Sequence, residues 1–239
     1  MRILSQPELL EFWERGVEQR PVERTLALLR RTCEEDPAQF TWGECSARLF
    51  QLRAQIFGNE ISAVVKCPKC GEGLEITFRI PGNADLRAGW RDALALSVNG
   101  FDATFRLPTL LDLNETQRGE DKEEAQNALL RRCILDVNRA SKAVSAEELP
   151  EEFVRAISEA MAGADPDAEV RLPLHCAQCH HDWKEDFDIE SFFWTEIQAW
   201  SGRMLNEVHR LAAAYGWSEA EILQLSPLRR HVYLNLIAE

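Results

Sequence analysis

Long apolar runs are missing from this chain: no stretch approaches the ~20 consecutive apolar residues of a membrane-spanning helix. Basic charge is in short supply, with 27 Lys and Arg against 40 Asp and Glu and a formal net charge of −13. Such a balance repels phosphate backbones and argues against nucleic-acid binding as the main task. The opening residues, Met1 to Glu8, lack an apolar core and a small-residue cleavage site, so no secretory signal is visible. A Gly-rich phosphate loop, a nucleophile elbow and a His-Glu-x-x-His pattern are all absent, and the abundant carboxylates fall in helix-surface and turn contexts. These absences predict a non-enzymatic protein with no membrane, nucleic-acid or small-molecule partner. No internal repeat or low-complexity tract interrupts the 239 residues, and 45% hydrophobic content suffices for one large or two small packed domains.

What the chain does have is two cysteine pairs of identical spacing, Cys67-Pro68-Lys69-Cys70 and Cys176-Ala177-Gln178-Cys179. Two thiolates separated by two residues can hold one tetrahedral metal from a tight knuckle turn, and two such knuckles complete a four-sulfur site. Gly71 follows the first pair and can take the left-handed conformation such a turn tends to need. His180 holds the equivalent place after the second, a residue type that enters this region less readily than Gly. The knuckles are far apart in sequence: 105 residues separate Cys70 from Cys176, against ~15–20 in a compact two-knuckle motif. One zinc shared by Cys67, Cys70, Cys176 and Cys179 is the favoured reading. Two redox dithiols, or knuckles that pair between protomers, are the alternatives. A closed four-sulfur site is structural, because catalytic zinc keeps an open position. His175, His180 and His181 flank the second knuckle and read as solvated, since four thiols suffice. Cys33, Cys45 and Cys133 read as small buried residues in apolar helical patterns. Seven cysteines, an odd number, fit a reducing cytosol better than a disulfide framework.

Three helices are predicted before the first knuckle. One follows Ser5 with Pro7 near its start, a second runs from about Pro21 to Cys33, and a third opens on the capping box Thr41-Trp42-Gly43-Glu44 and closes at Gly58. Alternating residues on either side of the knuckles, Leu74 to Phe78 and Trp183 to Phe187, read as hairpin arms. Between the knuckles the pattern predicts strands over Ala93 to Val98 and Phe101 to Leu107, with a turn at Asn99-Gly100. Helices are predicted over Glu123 to Val137 and Phe153 to Met161, then a strand from Ala168 to Leu174 leading into the second knuckle. The run Glu120-Asp121-Lys122-Glu123-Glu124 reads as a solvated helix start.

From Phe192 to Tyr215, apolar residues recur at three- and four-residue steps, and Gly216 supplies a stop. Ser218-Glu219-Ala220-Glu221 is a second capping box, and Ser226-Pro227 opens a last helix through Ile237. That helix carries Leu228, Val232 and Leu236 on one side and Arg229 and Arg230 on another. The arrangement suits a helix-turn-helix reader or a docking module, and two arginines on so acidic a chain are too few to prefer DNA. The aromatics Trp194, Trp200, Trp217 and Tyr233 either bury against the central domain or line a face for another protein. On the second reading Trp217, Arg229 and Arg230 are the candidate partner-binding residues, since aromatics and arginines are enriched at interface centres.

Several segments together carry a resemblance. They are Phe50-Gln51-Leu52-Arg53-Ala54-Gln55-Ile56-Phe57-Gly58 leading to Cys67-Pro68-Lys69-Cys70-Gly71, and Asp165-Pro166-Asp167-Ala168-Glu169-Val170-Arg171-Leu172 before Cys176. Phe187 to Trp194, Tyr215-Gly216-Trp217-Ser218-Glu219-Ala220-Glu221-Ile222-Leu223 and the terminal Arg-containing helix complete the set. Over most of its length the chain resembles the T4-type baseplate proteins of contractile phage tails and related extracellular contractile injection systems. The resemblance implies a non-enzymatic baseplate or hub component, or an assembly chaperone, whose partners are other baseplate, hub or spike proteins. The expected location is the cytoplasm of the producing bacterium, with either a place in the assembled particle or a part in assembly alone. An acidic zinc-ribbon accessory protein of the transcription machinery is the alternative. The expected fold is α+β and predominantly helical: an N-terminal helical region over 1–60, a split zinc ribbon with a large α/β insertion over 61–190, and a C-terminal helical module over 191–239.

Overall fold

A computed structural model describes residues 1–79, 93–116, 122–140, 142–145 and 149–237. Among them the chain is mixed α/β and mostly helical, with small antiparallel sheets. The first three helices are α1 (Gln6–Gly16), α2 (Pro21–Thr32) and α3 (Trp42–Phe57). Each starts where local chemistry satisfies its free amides. The Glu8 carboxylate accepts from the Ser5 N–H at 2.9 Å, Pro21 opens α2, and Thr41 and Glu44 close a reciprocal box at 3.2 and 2.9 Å. Their inward faces, including Leu9, Phe12, Leu26, Leu29, Leu49 and Leu52, form one core. Phe193, Trp194 and Ile197 enter that core from α7 (Ile189–Tyr215), a helix of 27 residues.

Between α3 and α7 lie two separate two-stranded hairpins and an inserted unit. The first hairpin pairs β1 (Glu60–Lys66) with β2 (Gly73–Arg79), and the second pairs β7 (Val170–His175) with β8 (Asp182–Phe187). The insertion holds an antiparallel sheet in the order β3 (Leu94–Val98), β4 (Phe101–Phe105), β5 (Ile134–Arg139) and β6 (Lys142–Ala143). Helices α4 (Leu110–Thr116), α5 (Lys122–Cys133) and α6 (Glu151–Ala164) accompany the sheet. Phe105, Val137, Phe153 and Ile157 make its core. The charge run at 120–124 falls partly outside the described residues; Lys122 opens α5.

Two expectations need correction here. The helix predicted over Glu123 to Val137 ends at Cys133, and Ile134 starts β5 with no intervening loop. Ile134 and Val137, three apart, fit a helical stripe and share a strand face only where a bulge intervenes. The hydrogen-bonding edge of β4 decides the outcome by pairing Phe105 with Ile134 and Ala103 with Val137 across a register shift. Upstream of the second knuckle, the predicted strand from Ala168 begins two residues later, at Val170. Residues Pro166–Ala168 form a single 3-10 turn instead.

The chain closes with α8 (Glu219–Gln224) and α9 (Pro227–Leu236), capped by Ser218 and Ser226. Gly216 ends α7 at φ 67°, the left-handed stop its position predicts. Met204, Val208 and Leu211 of α7 pack with Ile222, Leu223, Leu234 and Leu10, so the C-terminal helices rest on α1.

Candidate metal centre

Both knuckles close six-residue hairpin connections of the same design. In the first, the Cys67 N–H donates to the Glu72 carbonyl at 2.8 Å and the Gly71 N–H to the Cys67 carbonyl at 2.9 Å. In the second, the Cys176 N–H donates to His181 O and the His180 N–H to Cys176 O, both at 2.9 Å. Gly71 sits at φ 77° and His180 at φ 54°, so His180 takes the left-handed conformation its position demands. For an L-residue other than glycine that conformation costs about 1–2 kcal/mol, and the turn hydrogen bonds hold it in place.

The two hairpins bring all four thiols together although 105 residues lie between Cys70 and Cys176. The sulfurs of Cys67 and Cys179 are 3.7 Å apart, those of Cys70 and Cys176 are 3.6 Å apart, and all four lie within 4.8 Å of one another. A tetrahedral zinc with Zn–S of ~2.3 Å spaces its sulfurs by about 3.8 Å, so the cluster has the dimensions of a metal-ligand set. None of the four is in a disulfide. Cys67 and Cys176 are buried, while Cys70 is exposed and Cys179 half-buried. Desolvation raises the Cys67 pKa, but the backbone amides of Cys70 and Lys69 aimed at its sulfur outweigh it and bring the thiol down to about 7. At Cys70 the Glu72 amide works downwards, yet desolvation and the neighbouring thiols push the group up to about 12. Burial likewise raises Cys179. Thiols this close resist joint ionisation, and a bound cation removes that resistance.

The hairpins are fixed to the helical body by contacts that pattern reading missed. Phe187, the last residue of β8, meets Phe78 of β2 with ring centres 5.1 Å apart, Phe192 at 5.2 Å and Phe50 of α3 at 6.0 Å. Arg53, 3% exposed, grips Glu196 of α7 through two hydrogen bonds of 2.9 and 2.6 Å. Its remaining nitrogen donates to the Gly58 and Glu60 carbonyls at 2.7 Å each, where α3 turns into β1. Asp165 accepts from the Gly43 N–H at 3.0 Å, placing the chain just upstream of β7 on the N-terminus of α3. Burial raises the pKa of that carboxylate. Only an arginine inside an otherwise apolar stripe and an Asp-Pro turn could have signalled these ties.

Two shallow clefts of about 300 and 260 Å³ flank Trp42, and no histidine or cysteine lines either. Among the other candidate residues, Trp217 is half-buried and stacks on Tyr215 at 4.6 Å and against Tyr233 at 5.0 Å. Arg229 is exposed. Arg230 is the opposite, at 2% exposure, donating to Glu207, Gln6 and the Leu225 carbonyl at 3.0, 2.7 and 2.8 Å. It is a tie between α9, α7 and α1. Cys45 and Cys133 are buried and Cys33 half-buried.

In a mostly helical chain, two hairpins distant in sequence thus converge on a four-cysteine cluster that could hold a metal. The model of the T4 bacteriophage base plate protein family matches residues 29–194, more than half of the chain, and the chain belongs to that family. The matched segment runs from α2 through the first turn of α7, and so takes in both hairpins and the insertion. No curated protein and no solved structure matches the chain significantly. Family membership supports a structural role related to the phage baseplate, in association with other particle proteins. Among the described residues no helix is long and apolar enough to cross a membrane.

Proposed function

We propose that this chain is a non-enzymatic component or assembly chaperone of the baseplate or hub of a contractile particle, held in shape by one structural zinc. On this reading Cys67, Cys70, Cys176 and Cys179 bind the ion and join β1–β2 to β7–β8 as a split zinc ribbon around the insertion. The observation that carries it is the convergence of four sulfurs within 4.8 Å inside a segment matched by a baseplate family. All-sulfur coordination leaves no site for water or substrate, which suits architecture and not turnover. The N-terminal helical region, the ribbon with its insertion and the C-terminal helical module then act as three parts of one scaffold. Assembly takes place in the cytoplasm of the producing bacterium, with hub, spike and other baseplate proteins as partners.

The test has two arms. Elemental analysis of protein purified without added metal is expected to give one zinc per chain, lost on Cys67→Ser together with a lower melting temperature. The tagged chain, produced with the other baseplate proteins of its own particle, is expected to co-purify with at least one of them. Zinc-free folded protein would refute the metal, and an intact chain that binds no baseplate protein would refute the role.

A further inference from the structure

Helix α9 has two apolar faces, and only one of them is used. Leu234 and Arg230 point into the C-terminal core, with Tyr233 and Ile237 packed beside them. On the opposite side Leu228, Val232 and Leu236 are 73%, 50% and 57% exposed. At 100° per residue, Val232 stands at the centre of the solvent-facing side and the two leucines flank it. The solvent-facing side of a surface helix is ordinarily polar, so three large apolar side chains on the outer side of α9 give that side the composition of a covered surface. Leu228, Val232 and Leu236 form a single i, i+4, i+8 row, the ridge that fits the groove of another helix.

Charge narrows the occupant. Helix α9 carries Arg229, Arg230 and His231 and no acidic residue, on a chain of net charge −13. Arg230 is occupied by Glu207. The Arg229 side chain, next to Val232 and Leu236 around the helix, has no salt-bridge partner among the described residues. A second copy of this chain is a poor fit: α9 against α9 would bring Arg229 and His231 towards their own kind. We propose that the outer face of α9 is the docking ridge for an acidic amphipathic helix of another baseplate protein. Apolar residues at i, i+3 or i+4 and i+7 of that helix would seat on Leu228, Val232 and Leu236, with a bordering carboxylate on Arg229. This inference rests on the baseplate role proposed above and replaces Arg230, which is buried, with the three exposed apolar residues as the contact.

The experiment uses the full chain produced with the other baseplate proteins of its particle. A photoreactive benzoyl-phenylalanine at Val232 is expected to crosslink to a helical, acid-bordered segment of one of them, mapped by mass spectrometry. Val232→Asp, on an exposed position, is expected to leave the melting temperature unchanged and weaken capture of that partner about tenfold or more. Arg229→Glu should weaken it too, with Lys at the partner's carboxylate restoring it. A crosslink to a second copy of this chain, to a basic segment or to no protein overturns the proposal. Equal capture by wild type and Val232→Asp overturns it while the baseplate role stands. An intact chain that captures none of these proteins refutes both.

Discussion

Replacing Arg53 by methionine should cost more than any surface substitution, and the structure says how much. The guanidinium side chain is 4% exposed, bonded to both oxygens of Glu196 and to the carbonyls of Gly58 and Glu60. Methionine fills a similar volume with no donor. Removing one partner of a fully buried ion pair costs about 3–5 kcal/mol because the other charge is stranded. Glu196 keeps 26% of its side-chain surface in water, and residues 58 and 60 are exposed, so part of that loss is recovered by hydration. An expected destabilisation of about 2–4 kcal/mol follows. For a chain of this length it lowers the melting temperature by roughly 5–15 °C. Arg53→Lys keeps the charge without the fork and should fall between wild type and methionine. Pairing Arg53→Met with Glu196→Leu should recover much of the loss, since the stranded carboxylate is gone. Denaturant unfolding of wild type and the three variants measures all of this. A methionine variant within about 0.5 kcal/mol of wild type would show that the fork does not hold α3, β1 and α7 together.

Gly43→Ala should destabilise by about 1–3 kcal/mol in the same assay, because a methyl there overlaps the Asp165 carboxylate that caps α3. Burial raises Glu190 to about 7, with Asp188 adding to the rise and Arg24 opposing it. The folded protein therefore holds that proton more tightly than the unfolded chain, and the stabilisation it gives is full below about pH 4.5 and lost as pH rises to about 7. Glu190→Gln should thus be the more stable protein at pH 8 by about 1–3 kcal/mol, with the gap shrinking towards pH 5; a pH-independent difference between the two would refute it. His180→Gly should change stability by no more than about 1 kcal/mol, relieving the left-handed backbone while loosening the unfolded chain, and should leave zinc content unchanged.

Local signals read well from the sequence because their physics is local. Thr41 with Glu44, Ser218 with Glu221, and Ser226 before Pro227 each mark a helix start that the structure places at the same residue. The cysteine pairs marked both hairpin turns, and their convergence could be inferred only from the chemistry of four thiols. Non-local pairing did not read. Ile134 and Val137 become strand because β4 offers an edge, and no window centred on α5 contains that edge. Arg230 looked like a surface charge beside Arg229, yet its partners are Glu207 and Gln6, the latter 224 positions away. The outward direction of Leu228, Val232 and Leu236 was equally hidden, since an apolar stripe in a sequence ordinarily means core.

The position of the cysteines explains why a metal suits this fold. A lone two-stranded hairpin is marginal in water, and here two of them, with half-buried strands, have no third strand among the described residues to support either. Their roots are secure. Arg53 fixes the start of β1, Asp165 fixes the approach to β7, and Phe187 joins both hairpins to α3 and α7. Between the hairpins the insertion is pinned to the same region by the bridge of Thr109 to Thr41 at the start of α3. The four thiols lie at the free ends of the hairpins, where no such tie is found among the described residues. An ion bound at that point would join the two hairpin tips, acting first on the rigidity of the hairpin pair and less on the helical core. Zinc removal should accordingly loosen amide protection in β1, β2, β7 and β8 before it reaches α1 to α3.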